Sequence, residues 1–248
     1  MDLVAFDLVG PMAHFKKFYT NSSSLTYRIP PRTVLSGIIA ALLGVDRDEY
    51  YEKLAMERAK LGVSLRTPVR TLRQTVNYLN TKNQGWDGSN KHTQIPVELL
   101  LPQSPAPFLR YTVYFAHENV EVTKEIYKRT SEMRYCYPLY LGLTECPAWI
   151  ENPEFYCSEN LRFIEDPEGP LEVVTAVPLR RLVGDLRLAD GLRVYKDRMP
   201  FDFYHDRKIK WVDEVIWEAN GRPMSLSVNG LVFHIPPNNT FGVFLEFG

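Results

Sequence analysis

Residues 109–116 alternate without a break: Leu109, Tyr111, Val113 and Phe115 take turns with Arg110, Thr112, Tyr114 and Ala116. A period of two marks a β-strand with one face for a core. Slipping its register by one residue would turn that whole face to water, so the strand needs partners in a defined register. Residues 3–9 supply one candidate. They are short, apolar and β-prone, and they end at Gly10-Pro11, as a buried first strand would. Downstream, Pro30-Pro31 stops any extended element and Thr33 is placed to cap a helix. Val34, Leu35, Ile38, Ile39 and Leu42 then mark one helical face, with Gly44 where a glycine C-cap belongs. Asp46 and Glu49 have the spacing of a capping box for a second helix through about Leu61.

Residues 62–79 are strand-like, and a second apolar run covers Ile95 to Leu101. The polar stretch Asn80–Gln94 between them, with Gly85, Trp86 and Gly88, predicts a long hairpin with a loose tip. Val122, Ile126, Thr130 and Met133 fit a helix after the 109–116 strand. The order strand, helices, strand, hairpin, strand, helix resembles a ferredoxin-like unit with an inserted arm, although no fourth strand stands out. After Trp149 the chain is β-rich and punctuated by proline, with runs at 172–179, 212–219, 231–234 and 243–247. The fold class is therefore α+β.

The length of 248 residues allows one large domain or two small ones. With 45% hydrophobic and 24% charged residues, the composition is that of a folded, soluble chain. Fourteen Gly and eighteen Pro are too few for a collagen-like or low-complexity tract. No stretch approaches the ~18 apolar residues of a membrane helix, so no membrane partner is expected. Asp2 and the lack of a basic start leave no readable secretory signal. Cys136, Cys146 and Cys157 are too few and too widely spaced for a disulfide framework or a zinc site. The expected compartment is the reducing cytoplasm.

Net charge is −1 but unevenly placed. Residues 62–95 carry five basic residues against Asp87 alone, and residues 180–211 carry nine against five. Residues 10–32 form a long connection in which Phe15, Lys16, Lys17, Phe18, Tyr19, Tyr27 and Arg28 interleave cations with rings. Connections of that length in a compact domain are usually functional or disordered. The pattern suits single-stranded nucleic acid: cations neutralise phosphates, and rings stack on bases at roughly 1–3 kcal/mol each. The free N–H groups at the Thr33 end of the helix add a possible phosphate site. Equally, Phe15, Phe18 and Tyr27 could anchor the loop to a core.

Three stretches carry a family resemblance: Gly-Pro-Met-Ala-His-Phe-Lys at 10–16, the block from Tyr27 to Gly44 containing Pro-Pro-Arg-Thr, and the stretch from Tyr137 to Pro147. They resemble the fifth Cas protein family of CRISPR systems, a branch of the RAMP superfamily, in its type I-B variant. The resemblance implies a ferredoxin-like, RRM-type palm over 1–149, with a protruding β-hairpin thumb at about 69–101 and a small C-terminal β-rich module over 150–248. It implies a non-catalytic Cascade subunit of antiviral defence that caps the 5′ handle of the CRISPR RNA and nucleates assembly. Its partners would be that RNA, the backbone subunit and the large subunit, with target DNA met only through the complex. The RNA-facing positions carried over are His14, Phe15, Lys16, Lys17, Arg28, Arg32 and Thr33. Thumb charge adds Arg70, Arg73, Lys91 and His92. No cofactor and no metal is implied.

The alternative is a metal-independent endoribonuclease processing precursor CRISPR RNA, as in a type I-C branch. Such chemistry needs a base for the 2′-hydroxyl, an acid for the leaving oxygen and a cation for the phosphorane. Lys91-His92 and His117 with Tyr114 are the candidates, but the five histidines show no convergent spacing. Tyr204-His205-Asp206 reads as a surface turn. The stretch from Tyr137 to Cys146 reads as packing between the palm and the C-terminal part, with Cys146 a buried small hydrophobe.

Overall fold

The computed structural model describes residues 1–79, 92–184, 186 and 189–247. In chain order these form β1 (Leu3–Gly10), β2 (Phe15–Lys16), β3 (Thr26–Tyr27), α1 (Arg32–Leu43), β4 (Ala59–Leu65), β5 (Val69–Leu79), β6 (His92–Pro102), β7 (Leu109–His117), α2 (Val120–Ser131), β8 (Trp149–Tyr156), β9 (Phe163–Ile164), β10 (Leu171–Val173), β11 (Val177–Pro178), β12 (Val194–Phe203), β13 (Ile209–Glu218), β14 (Met224–Leu226), β15 (Val232–Ile235) and β16 (Thr240–Val243). The fold is α+β with far more strand than helix. No helix among the described residues is long and apolar enough to cross a membrane.

The central sheet has the order β4-β7-β1-β8, and every neighbouring pair is antiparallel. Strand alternation sorts its side chains. Val4, Phe6 and Leu8 of β1 and Tyr111, Val113 and Phe115 of β7 pack with Leu35, Ile38, Ile39 and Leu42 of α1 and Ile126 of α2. Leu3, Ala5, Tyr114 and Ala116 point the other way and pack on Leu161, Phe233 and Phe244 from the C-terminal part. Burial on both faces explains why β1 reads as a continuous apolar run. The β8 strand, whose charged residues hide it in the sequence, supplies the fourth member of the sheet. Beyond it lie a five-stranded sheet (β14-β10-β16-β15-β9) and a three-stranded one (β11-β13-β12). One apolar cluster runs from the central sheet through to Met199, Phe201, Val215, Trp217 and Leu245.

Helix α1 ends at Gly44 as expected, with φ 73° and its N–H on the Ala40 carbonyl. Its start is corrected: Pro31 is the N-cap, and Thr33, already one residue inside the helix, makes no cap hydrogen bond. The second helix expected from Asp46 does not form. Residues 47–58 are mostly turns, Asp48 sits at φ 74°, and β4 has begun by Ala59. The Asp46 carboxylate is taken by the Tyr137 hydroxyl at 2.6 Å rather than capping a helix. The predicted hairpin is β5 with β6, paired from Val69↔Pro102 to Leu79↔His92. Most of its expected tip, residues 80–91, lies outside the described residues.

The Tyr137–Cys146 stretch also needs correction. It folds against α1 and the 13–15 segment, through Tyr137 N–H on the Ala41 carbonyl and His14 N–H on the Leu141 carbonyl. Tyr137, Tyr140 and Leu143 are exposed, and only Leu139, Leu141 and Cys146 turn inward.

Candidate nucleic-acid interface

The long connection after β1 is ordered by short pairings. In the β2–β3 pair Phe15 lies opposite Tyr27, and Lys16 opposite Thr26. Phe15 and Tyr27 go into the core, which sends Lys16 outward and leaves Arg28 half-exposed beside the buried Tyr27. The connection is sewn to the β5–β6 hairpin by bridges Ala13↔Leu100 and Ser24↔Val97. The His14 ring is an internal strut between the Glu98 carbonyl at 2.6 Å and the Ser24 hydroxyl at 2.9 Å. A side chain at Gly142, whose φ is +92°, would collide with the His14 carbonyl, so this corner needs glycine.

Three segments far apart in sequence then face one another across a cleft of about 480 Å³. Lys17, Thr26 and Arg28 form one wall, Thr71, Arg73 and Glu98 at the hairpin base a second, and Tyr195, Lys196, Asp197 and Trp217 the third. The Arg28 guanidinium lies 4.1 Å over the Tyr195 ring, which in turn packs on Trp217 with centroids 6.0 Å apart. Lys17 is ion-paired with Asp197, Arg73 with Glu98 at 2.7 Å, and Lys196 with Glu214 at 3.0 Å. Burial by itself would lower the pKa of the Lys17 ammonium, but the hydrogen bond and charge of Asp197 outweigh it and raise it. Arg28 and Lys16 make no ion pair among the described residues. A cleft that combines four cations, three of them held by carboxylates and the fourth stacked on a ring, is chemically equipped to hold a phosphodiester.

Of the residues expected at an RNA surface, Lys17, Arg28 and Arg73 converge on this cleft, and Lys16 is exposed beside it. Arg70 is exposed on β5, three residues before Arg73 and so on the opposite face, as alternation requires. His92 is exposed at the described end of β6, and Lys91 lies outside the described residues. Four positions are corrected. His14 is 2% exposed and Phe15 1%, one a strut and the other core. Arg32 is 1% exposed, with its guanidinium on the carbonyls of Phe201, Leu54 and Ala59 and on Asp202. Thr33 is also buried. Tyr195, Lys196 and Trp217 are not evident from the sequence reading. Their signal is the interleaving of Tyr195 with Lys196 and Arg198, inside a segment that otherwise stands out only for net charge.

Two of the ribonuclease candidates, Tyr114 and His117, are held by local contacts. Tyr114 is buried and its hydroxyl accepts from Arg66 at 3.2 Å. On His117, Nε2 meets the Lys53 carbonyl at 3.0 Å and Nδ1 accepts from the Asn119 N–H at 3.0 Å. Tyr204, His205 and Asp206 form the exposed turn between β12 and β13, with Asp206 on Lys208 at 2.6 Å. No cluster of three metal-ligating side chains occurs among the described residues.

A family model described as CRISPR-associated protein (Cas_Cas5) matches residues 3–208. The chain belongs to this CRISPR-associated Cas5 family. A crystal structure of a CRISPR protein from Archaeoglobus fulgidus shares the fold, with a TM-score of 0.62 at 12% identity over 98% of this chain and 99% of that one. A chain of a CRISPR RNA-guided surveillance complex is a more distant likeness, with a TM-score of 0.46 at 14% identity over 95% of this chain and 94% of that one. No curated protein matches the sequence significantly. The Cas5 match covers β1 through β12, and so includes all three walls of the cleft apart from Trp217.

Proposed function

We propose that this Cas5-family chain is a non-catalytic subunit of a type I, I-B-like CRISPR RNA-guided surveillance complex. It binds the 5′ handle of the CRISPR RNA and nucleates assembly with the backbone and large subunits. Target DNA is met only through the assembled complex. The observation that carries this reading is the cleft in which Arg28, stacked on Tyr195, stands between Lys17 and Arg73. The β1-α1-β4-β7-α2-β8 succession serves as a ferredoxin-like palm, and the β5–β6 hairpin as the thumb that forms one wall of the cleft.

The test is co-purification and direct binding. A tagged chain expressed with its complex should carry RNA with a fixed 5′ end. Replacing Lys16, Lys17 and Arg28 with Ala should weaken handle binding and flatten its salt dependence, by about 0.7 in log–log slope for each phosphate no longer neutralised. Unchanged affinity and slope in the folded triple variant would remove the cleft from the RNA site. In EDTA the purified chain should leave repeat-containing precursor RNA intact. A specific cut abolished by His92→Ala or His117→Ala would instead establish the endoribonuclease reading.

A further inference from the structure

Two cleft cations are already neutralised from within, and in the same manner. Asp197 takes Lys17 on one oxygen, while its other oxygen accepts the Tyr19 hydroxyl at 3.0 Å and the Arg198 N–H at 2.9 Å. Glu98 takes Arg73 at 2.7 Å on one oxygen and the Thr26 N–H at 3.2 Å on the other. Each carboxylate therefore sits in a cradle of one cation and one backbone N–H, the donor set that also holds a phosphate group. Both carboxylates are largely shielded, with side-chain exposures of 14% each. The Lys17 ammonium is further enclosed by the Tyr27 and Tyr19 rings, at 5.5 and 5.8 Å. Between the two cradles, Arg28 alone faces the cleft without an acidic partner among the described residues.

We propose that Asp197 and Glu98 are internal counter-ions standing where RNA phosphates bind, so that the cleft takes up RNA by exchanging carboxylate for phosphate on Lys17 and Arg73. This rests on the RNA-binding reading above and deepens it. The arrangement sets selectivity. An anion that reaches only Arg28 gains one contact. A strand whose spacing places phosphates at Lys17, Arg28 and Arg73 together gains three, and only then offsets the cost of parting two ion pairs. The carboxylates thus suppress adventitious binding of polyanions, a repulsive device working beside the attractive one. Lys17 and Arg73 meanwhile keep their geometry in the empty cleft, which lowers the cost of ordering them on binding.

The experiment measures affinity of the full chain for a short single-stranded RNA across a KCl series, in wild type, Asp197→Asn and Glu98→Gln. Each amide keeps an acceptor oxygen for its backbone N–H while losing the charge. Asp197→Asn should bind about fivefold more tightly. Its salt slope should stay that of the wild type, because the same phosphates are engaged in both. The gain should vanish when Lys17→Gln is added. If Asp197→Asn does not fold, Glu98→Gln with and without Arg73→Gln reads the same exchange at the second cradle. Wild-type binding with no gain in a folded variant, or a gain that survives loss of the cation, overturns the counter-ion role and leaves the RNA site standing. Failure of every form, wild type included, to bind RNA overturns both.

Discussion

Arg32 lies inside the molecule although its sequence setting, Pro-Pro-Arg-Thr, is that of an exposed basic motif. One terminal nitrogen donates to the Asp202 carboxylate at 2.8 Å and the Phe201 carbonyl at 3.1 Å, and the other to the carbonyls of Leu54 and Ala59 at 2.9 and 2.8 Å. Asp202 also accepts the Met56 N–H at 3.0 Å. One guanidinium thus joins the start of α1, the 54–59 turns and β12. A fork with five donors can satisfy that many fixed acceptors, and an ammonium cannot. Arg32→Ala leaves the Asp202 carboxylate buried without a counter-charge, at a cost of about 3–5 kcal/mol. Urea unfolding should record that loss, and Arg32→Lys should recover only part of it. A loss below about 1 kcal/mol in Arg32→Ala would show that water reaches Asp202 and that the network is dispensable. The residue also marks what a sequence conceals. Lys17, Arg28 and Arg32 look alike along the chain, and burial of the last depends on an aspartate 170 residues away.

At the scale of elements, the segment between α1 and β4 shows how tertiary contacts override a local signal. Its capping-box spacing would serve a helix only if the Asp46 carboxylate were free, and Tyr137 takes it. Asp48 accepts from Arg207 Nε at 2.7 Å and from the Tyr51 hydroxyl at 2.6 Å, tying these turns to the β12–β13 turn. Those hydrogen bonds, Arg207 first, hold the Asp48 carboxyl down at about 2. A pKa below its unfolded value contributes stability above the ordinary carboxylate range, and that contribution disappears as pH falls through about 4 toward 2. Arg207→Gln should therefore lower the melting temperature at neutral pH, with the two curves converging near pH 2. A difference that persists undiminished into acid would assign the effect to something other than this pair. β7 by its alternation and β1 by its apolar run are legible from the sequence, as is α1 with its glycine cap. The two-residue strands β2 and β3 are not, because pairing with distant segments and burial of Phe15 and Tyr27 create them. β12 is hidden because Lys196, Asp197, Arg198 and Pro200 disguise it, and it bends with register shifts around Pro200 and Asp202.

For the whole molecule, the division into a palm at 1–149 and a module at 150–248 meets a shared interior. The central sheet takes its edge strand β8 almost wholly from beyond residue 149. One face of the sheet lies under Phe233 and Phe244, and Leu245 donates its N–H to the Leu61 carbonyl at the β4 edge. Met199, Phe201, Val215 and Trp217 complete the cluster that begins at Val4 and Phe6. The cleft inherits the same dependence, since its stacking ring Tyr195 and counter-ion Asp197 come from β12. Removal of 150–248 would expose Leu3, Ala5 and Tyr114 to water, strip β1 of its β8 partner and leave the Arg32 guanidinium without Asp202. Each apolar side chain so exposed forfeits about 1.5–3 kcal/mol, against a total stability of only about 5–15 kcal/mol for a typical domain. The 1–149 fragment should therefore show no cooperative thermal transition and little amide protection in β1. The full chain should melt as one unit when followed by both far-ultraviolet and tryptophan signals. A sharp melt of the fragment alone would establish the palm as an independent domain and would place the cleft at a joint between two separable parts.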